Sequence, residues 1–324
     1  MSFFIGLLLV AAPTWFYAWL VRRIDRYEPE PTRYLVAAFL WGALPAIIAG
    51  VVIEIVLAVP VVAIFGPDSN VTNFVTTAVF APIVEEVLKG MAVAAVYLWR
   101  RREFDGWIDG IVYGSTVGFG FAFVENIGYL YGTTTTGEWW QLYFLRVLVF
   151  GFMHGFWTSL TGIGFGLARN RSSKFLRSGL IVFGLFAAVV MHMLHNASMV
   201  LAQVSEGATI CISGLSYLLL IVLMIALGAV GGWRERSLMR EHLRDELPEV
   251  IDPRVYEALV GASAAARSRL GLSPAQQRAL LKAACELAFA KRRAASQPFD
   301  AASAADVERL REQLRTGPRA AVWK

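Results

Sequence analysis

The sequence contains few charged residues and few cysteines for its length. Only 17% of its 324 residues are charged, against roughly 25% in soluble domains, whereas 56% are hydrophobic. Mean hydropathy is +0.54. Two cysteines, Cys211 and Cys285, exclude a disulfide framework and a cysteine-rich zinc site. This composition excludes a soluble enzyme and predicts an integral membrane protein.

Long apolar runs separated by charges and turn residues predict about seven membrane spans. A helix that crosses the bilayer needs about 20 apolar residues, and each run is long enough. The second run contains Pro45 and Pro60, so we expect it to be kinked, tilted or followed by an interfacial piece. The prediction is an all-α, polytopic transmembrane helical bundle with spans at roughly 3–21, 34–65, 71–99, 107–131, 141–168, 178–203 and 209–232.

Basic residues predict the orientation of this bundle. Alternate loops carry all eleven flanking Lys and Arg residues, and the loops at 66–70, 132–140 and 204–208 carry none. This asymmetry predicts an N-terminus outside and a C-terminus in the cytoplasm. We interpret the first span as a retained anchor. The residues that decide the orientation are Arg22, Arg23, Arg26, Arg33, Arg100, Arg101, Arg102, Arg169, Arg171, Lys174 and Arg177.

Residues 233–324 differ in composition from residues 1–232. The tail carries 17 basic and 12 acidic residues, whereas the first part carries 13 of each. We predict a transmembrane domain over 1–232 and a small cytoplasmic helical tail over 233–324, with helices over 253–270, 274–294 and 304–314. The modest positive charge suits anionic lipid headgroups, and no nucleic-acid partner is expected.

Ionisable side chains inside four of the spans are the main functional signal. A charged group at the bilayer centre costs at least about 2.5–3.5 kcal/mol, so such residues mark functional sites. Their positions along the helices place them in one layer on the order of 10 Å thick. The residues are Glu85, Glu86, Lys89, Glu125, Asn126, His154, His192, His195 and Asn196. Two further charges lie in apolar runs: Glu54 has no assigned role, and Arg146 is expected to snorkel to the headgroups.

These residue types are suited to hydrolysis. One of two adjacent carboxylates in a low dielectric serves as a general base on water, and histidine and asparagine supply donors to an oxyanion. The sequence contains no HExxH, GxGD or GxSG motif, which excludes three other intramembrane protease chemistries. Three alternatives remain open: a structural Glu85–Lys89 ion pair in a polar core, a proton-coupled transporter, and a non-enzymatic membrane scaffold.

Several motifs resemble those of the PrsW intramembrane proteases, within the group that includes the CAAX prenyl proteases. They are DRYEPEP at 25–31, EEVLK at 85–89, FxxxEN at 121–126, His154, and HxxxN at 192–196. The resemblance implies hydrolysis of a peptide bond in or next to the span of a membrane-anchored protein such as a single-span anti-sigma factor, in the bacterial cytoplasmic membrane. It implies Glu85 and Glu86 as essential residues and Glu125, His154, His192 and Asn196 as further site residues.

Two mechanisms are compatible with these residues. In the first, Glu85 or Glu86 activates water, His154 assists, and His192 and Asn196 hold the oxyanion. In the second, His154, His192 and Glu125 bind Zn²⁺ and the Glu pair is the base. The sequence leaves the cofactor unknown, with zinc as the candidate. In the CAAX relatives a histidine stands where this chain has Glu125.

Overall fold

The computed structural model describes residues 3–25, 30–100, 103–169, 171–201, 206–261, 268, 270–296 and 301–316. Within these ranges the chain forms helices and turns and no strand, which confirms the all-α class. It divides into two compact units, one made of Met1–Asp25 and Glu30–Gly228 and the other of Arg26–Pro29 and Ala229–Lys324. Of the predicted features, Arg26, Arg101, Arg102, residues 204–205 and positions 26–29 of DRYEPEP lie outside the described residues.

The first unit is a bundle of long apolar helices, several of which contain π-helical stretches. Its elements are α1 (Phe3–Arg22), α2 (Thr32–Trp41), a π-helix (Gly42–Ala46), α3 (Ile47–Phe65), α4 (Asn70–Asn73), a π-helix (Phe74–Phe80), α5 (Ala81–Trp99), α6 (Trp107–Tyr131), α7 (Thr136–Leu142), a π-helix (Tyr143–Val149), α8 (Met153–Arg169), α9 (Lys174–Leu201) and α10 (Glu206–Leu243), whose C-terminal part belongs to the second unit.

Six helical stretches are long and apolar enough to cross a membrane. The region that corresponds to the remaining predicted span, residues 70–99, is also helical, but it carries Glu85, Glu86 and Lys89. The prediction of about seven spans is therefore consistent with the structure. The second apolar run is continuous from Thr32 to Phe65 and contains the π-helical turn around Pro45.

Glycines bring α6 and α8 into backbone contact, as their four-residue spacing predicts. A Cβ atom on Gly110 would lie 2.1 Å from the carbonyl oxygen of Gly162, and one on Gly114 would lie 2.6 Å from that of Thr158. A Cβ atom on Gly118 would lie 2.2 Å from the carbonyl oxygen of His154. The lack of a side chain at these three positions of α6 lets the backbone of α8 approach closely, and this contact sets the position of His154.

The fifth predicted span, 141–168, is interrupted before α8, so His154 lies in the first turn of a helix and not at the middle of one. A Cβ atom on Gly151 would lie 2.1 Å from the carbonyl oxygen of Val147, so only glycine fits this break. The break leaves helical carbonyl groups without donors. The Tyr17 hydroxyl donates to the carbonyl oxygens of Val147 and Leu148, each at 3.0 Å, and stabilises the break from α1.

The second unit contains shorter helices with their own apolar core. They are a 3₁₀ turn (Arg244–Glu246), α11 (Pro253–Val260), α12 (Pro274–Ser296) and α13 (Ala301–Thr316). The predicted start at Pro274 is confirmed: Ser273 Oγ accepts from the Gln276 N–H at 3.3 Å, and Gln276 Oε1 accepts from the Ser273 N–H at 3.0 Å. The predicted helix over 253–270 ends earlier, at Val260, and residues 262–267 lie outside the described residues.

Candidate active site

Four helices of the first unit bring six ionisable side chains together in the bundle interior. We call this group the polar cluster. The exposed fraction of each residue is below a tenth for all but Glu125, which is partly buried. Five of the six are site residues predicted from the sequence, and Lys89 was predicted as a partner of Glu85. The members are Glu85, Glu86 and Lys89 on α5, Glu125 on α6, His154 on α8 and His192 on α9.

Lys89 lies at the centre of the polar cluster and is fully buried. Its Nζ donates to Glu85 Oε2 at 3.0 Å and to Glu86 Oε1 at 2.8 Å, and it lies 3.0 Å from His154 Nδ1. The ammonium group also lies 3.9 Å from the centre of the Phe121 ring. One cation therefore compensates two carboxylates, and its three N–H groups are all used.

The two adjacent carboxylates have different surroundings. Glu86 is fully buried; its Oε1 accepts from Lys89 and lies 3.2 Å from His192 Nδ1, and its Oε2 accepts from Thr158 Oγ1 at 2.9 Å. Glu85 contacts Lys89 through Oε2 and retains a small exposed area. Both oxygens of Glu86 are thus occupied by donors, whereas Glu85 is the member of the pair with the fewer contacts.

His192 is held between Glu86 and an aromatic wall. The Trp157 ring stacks on the His192 ring with centroids 4.0 Å apart and an angle of 16°. The short contact between Nδ1 and Glu86 assigns the proton to Nδ1 and leaves Nε2 as the acceptor, 4.0 Å from Glu85 Oε2. Sequence reasoning missed Trp157 and Thr158, although they lie three and four residues after His154 and so share its helix face.

His154 is oriented by Glu125, and Glu125 by Arg146. Nε2 of His154 lies 2.8 Å from Glu125 Oε2, and Nη2 of Arg146 lies 2.8 Å from the same oxygen. Arg146 Nε also donates to Asn126 Oδ1 at 3.2 Å, and its guanidinium lies 3.7 Å from the centre of the Tyr129 ring. The structure gives Arg146 a strong partner within the bundle, a partly buried carboxylate, where the sequence suggested a side chain that reaches the headgroups.

Asn196 uses one of the two N–H groups of its side-chain amide in a contact with the backbone. Its Nδ2 donates to the carbonyl oxygen of Thr77 at 3.0 Å. Thr77 lies in the π-helix, where its carbonyl would accept from the residue five positions later, and that residue is Pro82, which has no N–H. Asn196 therefore satisfies this carbonyl and joins α9 to the helix that carries Glu85.

Two groups of side chains among the described residues have ligand atoms close enough to hold a metal ion. The first is Glu85, His154 and His192, whose ligand atoms lie within 4.8 Å of one another. Glu125 is not in this group; it contacts Nε2 of His154, whereas Nδ1 is the nitrogen 4.0 Å from Glu85. A metal ion in this group would thus have Glu85 as its carboxylate ligand, whereas the sequence suggested Glu125. Two imidazoles and a carboxylate are a donor set that fits zinc.

The second group consists of carboxylates near the start of α2 and α6. Its members are Asp25, Glu30 and Asp109. The Tyr113 hydroxyl donates to Glu30 Oε2 at 2.6 Å. Burial, with the neighbouring Asp109 carboxylate, raises the pKa of Glu30 to about 10, so this residue is protonated at neutral pH. A protonated member and the absence of histidine make this group a poorer metal site than the first.

Comparison with known proteins shows to which family the chain belongs. The profile of the PrsW family intramembrane metalloproteases matches residues 30–228, more than half of the chain. The chain belongs to the PrsW family. The matched region contains every residue of the polar cluster and ends where the first compact unit ends. PrsW membership and the apolar helices together make this an integral membrane protein.

Curated PrsW proteins are similar over the same region. Protease PrsW of Geobacillus kaustophilus is 30% identical over 150 residues, which cover 46% of this chain and 60% of the relative. Protease PrsW of Bacillus subtilis is 29% identical over 158 residues, 46% of this chain and 62% of the relative. The similarity thus spans less than two thirds of these PrsW relatives. No solved structure matches the chain significantly.

Proposed function

We propose that this protein is an intramembrane endopeptidase of the PrsW type. Its substrate would be a membrane-anchored protein, such as a single-span anti-sigma factor, cut in or next to its span. The observation that carries the proposal is the polar cluster, in which two glutamates, two histidines and a lysine from three helices surround one small region of a buried bundle interior. Such a group costs too much free energy in a membrane to be without a function.

In the metal-free form of this proposal Glu85 is the general base, and Glu86 is its positioning residue. Both oxygens of Glu86 accept hydrogen bonds from protein donors, so it holds Lys89 and His192 in place. Lys89 Nζ bridges Glu85 Oε2 and His154 Nδ1 at 3.0 Å from each, whereas Glu85 Oε2 lies 4.0 Å from His192 Nε2, a separation that one bridging oxygen atom would suit. A water molecule there would give its proton to Glu85 as it attacks the peptide carbonyl.

A zinc ion would be held by Glu85, His154 and His192, the group whose donor atoms converge. It would supply polarisation of water or of the peptide carbonyl. Lys89 Nζ lies 3.0 Å from both Glu85 and His154, so its ammonium group competes with a metal ion for these two side chains. Glu85 would serve as a ligand if the protein binds a metal ion and as the general base if it does not.

Metal analysis of the purified protein separates these two roles. The comparison is wild type beside His154→Ala/His192→Ala, with Glu125→Gln as the matched control, since Glu125 faces the other nitrogen of His154. About one zinc per chain that is lost in the double variant and also in Glu85→Gln, but kept in Glu125→Gln, assigns Glu85 as a ligand beside the two histidines. A metal-free wild type that still cleaves its substrate assigns Glu85 as the base.

The orientation predicted from the basic loops belongs to this proposal: an N-terminus outside, a C-terminus in the cytoplasm, and a cleavage site towards the outer leaflet of the bacterial cytoplasmic membrane. Cysteine accessibility at each terminus of the full-length protein tests it. Labelling of an N-terminal cysteine by a membrane-impermeant maleimide in intact cells supports the orientation, and labelling of only a C-terminal one contradicts it.

Co-expression with doubly tagged single-span anti-sigma factors from the same genome tests the activity. We expect the wild type to convert one of them into two fragments, and Glu85→Gln to reduce the rate by roughly 10²–10⁴-fold. Glu54→Gln, an intramembrane carboxylate on α3 outside the polar cluster, is the matched control and should retain cleavage. Equal cleavage by the wild type and Glu85→Gln would refute the assignment.

A further inference from the structure

A groove beside the polar cluster is formed by α3, α6 and the α7 segment with its π-helix. It has a volume of about 830 Å³, within the roughly 300–1,000 Å³ range of ligand pockets. Most of its lining is apolar, including Val51 on α3 and Leu145 in the π-helix. A mostly apolar groove with a few polar groups is the usual form of a binding site.

The groove reaches the polar cluster through Glu125. This side chain lines the groove, keeps 19% of its side-chain area exposed and lies 2.8 Å from His154 Nε2. Two other cavities, of about 250 and 670 Å³, are lined by no member of the polar cluster. A chain segment in the groove would therefore lie one side chain away from His154.

The polar groups of the groove indicate what occupies it. They are Glu125, Tyr129, Thr133, Glu138 and Gln141, and no lysine or arginine is among the lining residues. Carboxylate, amide and hydroxyl oxygens accept hydrogen bonds. A helical segment has its own N–H groups paired, but an extended peptide in an apolar environment needs external acceptors. A lipid acyl chain has no donor for these groups.

We propose that this groove binds the membrane segment of the protein substrate in extended form and delivers its peptide bond to the polar cluster. The inference rests on the proposed protease function and adds to it the site of substrate entry. The π-helical turn Tyr143–Val149 forms part of one wall, and such turns are frequent at functional sites.

Substitution of Gly128 would fill part of the groove without a clash with the surrounding helices. It lines the groove, and a Cβ atom built on it meets nothing within 4 Å. Gly179 on α9 is a matched control: it is exposed, a Cβ atom there also meets nothing within 4 Å, and it does not line the groove. Both glycines are helical, so the same substitution has the same backbone consequences at each position.

The experiment compares Gly128→Phe with Gly179→Phe in the full-length protein, with a tagged single-span substrate that the wild type cleaves. We expect Gly128→Phe to slow cleavage at least about tenfold and Gly179→Phe to stay within about twofold of the wild type. Wild-type rates in both variants would overturn the groove assignment and leave the protease function intact. Absence of cleavage by the wild type, with every substrate offered, would refute the function itself.

Photo-crosslinking provides a readout that does not depend on activity. Benzoylphenylalanine would replace Val51 in the groove or Val182 on α9, whose exposed fractions are 52% and 64%, in the Glu85→Gln background. A crosslink to the tagged substrate from position 51 and none from position 182 supports the proposal. Crosslinks to lipid only, or equal substrate crosslinks from both positions, contradict it.

Discussion

Two networks of carboxylates and basic side chains, one in each unit, have different surroundings. In the polar cluster, Lys89 contacts two carboxylates and a histidine. In the second unit, Glu246 accepts from Lys291 Nζ and Arg311 Nη2, each at 2.6 Å. Lys291 also contacts Asp245 and Arg311 also contacts Glu308, so carboxylates outnumber cations in both networks. The difference is in the other partners: the polar cluster places two imidazoles 4.0 Å from Glu85, whereas the second network joins three helical elements.

This comparison shows that a buried ion pair does not indicate a function by itself. The neighbours decide: the polar cluster adds two imidazoles with acceptor nitrogens that face Glu85, and the Glu246 network contains no histidine among its hydrogen-bond partners in the described residues. Four substitutions test the distinction, beginning with the one expected to have the largest effect.

His192→Ala should reduce cleavage by roughly 10²–10⁴-fold. The substitution removes an imidazole whose Nε2 faces Glu85 and whose Nδ1 contacts Glu86. Initial rates with the tagged substrate measure the effect. His242→Ala, in the second unit, is the matched control and should cleave at the wild-type rate. If both variants were equally active, the distinction between the two regions would fail.

Gly118→Ala should slow cleavage by about 10²-fold, since a Cβ atom would lie 2.2 Å from the His154 carbonyl oxygen and must displace α8. It should also lower the thermal stability of the detergent-purified protein, at a cost of about 1–3 kcal/mol. Gly179→Ala, on α9 outside the groove and with open space around its Cβ position, should leave the rate unchanged and should not lower the stability. A fully active Gly118→Ala variant would show that the α6–α8 contact does not position His154.

Arg146→Gln should reduce cleavage by about 10–100-fold, the usual loss when a side chain that orients a residue of the site is removed, because it takes away the cation 2.8 Å from Glu125 Oε2. Arg146 acts through Glu125, so the loss should be in kcat more than in KM. Arg146→Lys, which keeps the charge, should restore part of the rate. Equal losses in both variants, without change in the pH profile, would indicate a purely structural role.

Glu246→Gln should leave cleavage unchanged and weaken the second unit by about 1.5–3 kcal/mol, because it removes a charged acceptor shared by Lys291 and Arg311. Hydrogen exchange of the full-length protein measures this as faster exchange in α12 and α13. Loss of cleavage with unchanged exchange would place the second unit in the reaction.

Much of the fold could be predicted from the sequence, because apolar length and small-residue spacing are local properties. The close helix packing at Gly110, Gly114 and Gly118 and the helix start at Pro274 are examples, although the partner helix of these glycines was not predicted. The π-helices and the break before α8 could not be predicted, since they depend on partners far along the chain, such as Tyr17.

The sequence predicted which residues form the candidate site, but not which of their atoms contact each other. Depth and helix face brought Glu85, His154 and His192 together, whereas which nitrogen faces which carboxylate depends on side-chain rotation. In the structure Glu125 contacts Nε2 of His154, the nitrogen on the side away from Glu85, and Arg146 has this partly buried carboxylate as its partner. The sequence suggested a role in the reaction for Asn196, which lies one turn after His192. In the structure its Nδ2 donates to the carbonyl oxygen of Thr77, a contact that the sequence analysis did not foresee.

The central claim is that the polar cluster of this chain hydrolyses a peptide bond in a membrane-anchored protein. The most direct measurement is cleavage of a single-span substrate by the purified protein in liposomes in H₂¹⁸O, with fragments analysed by mass spectrometry. We predict two fragments from the wild type, one ¹⁸O atom in the new carboxylate, a cut in or next to the span, and no cleavage by correctly folded Glu85→Gln. Identical fragments from both proteins at equal rates would contradict the claim.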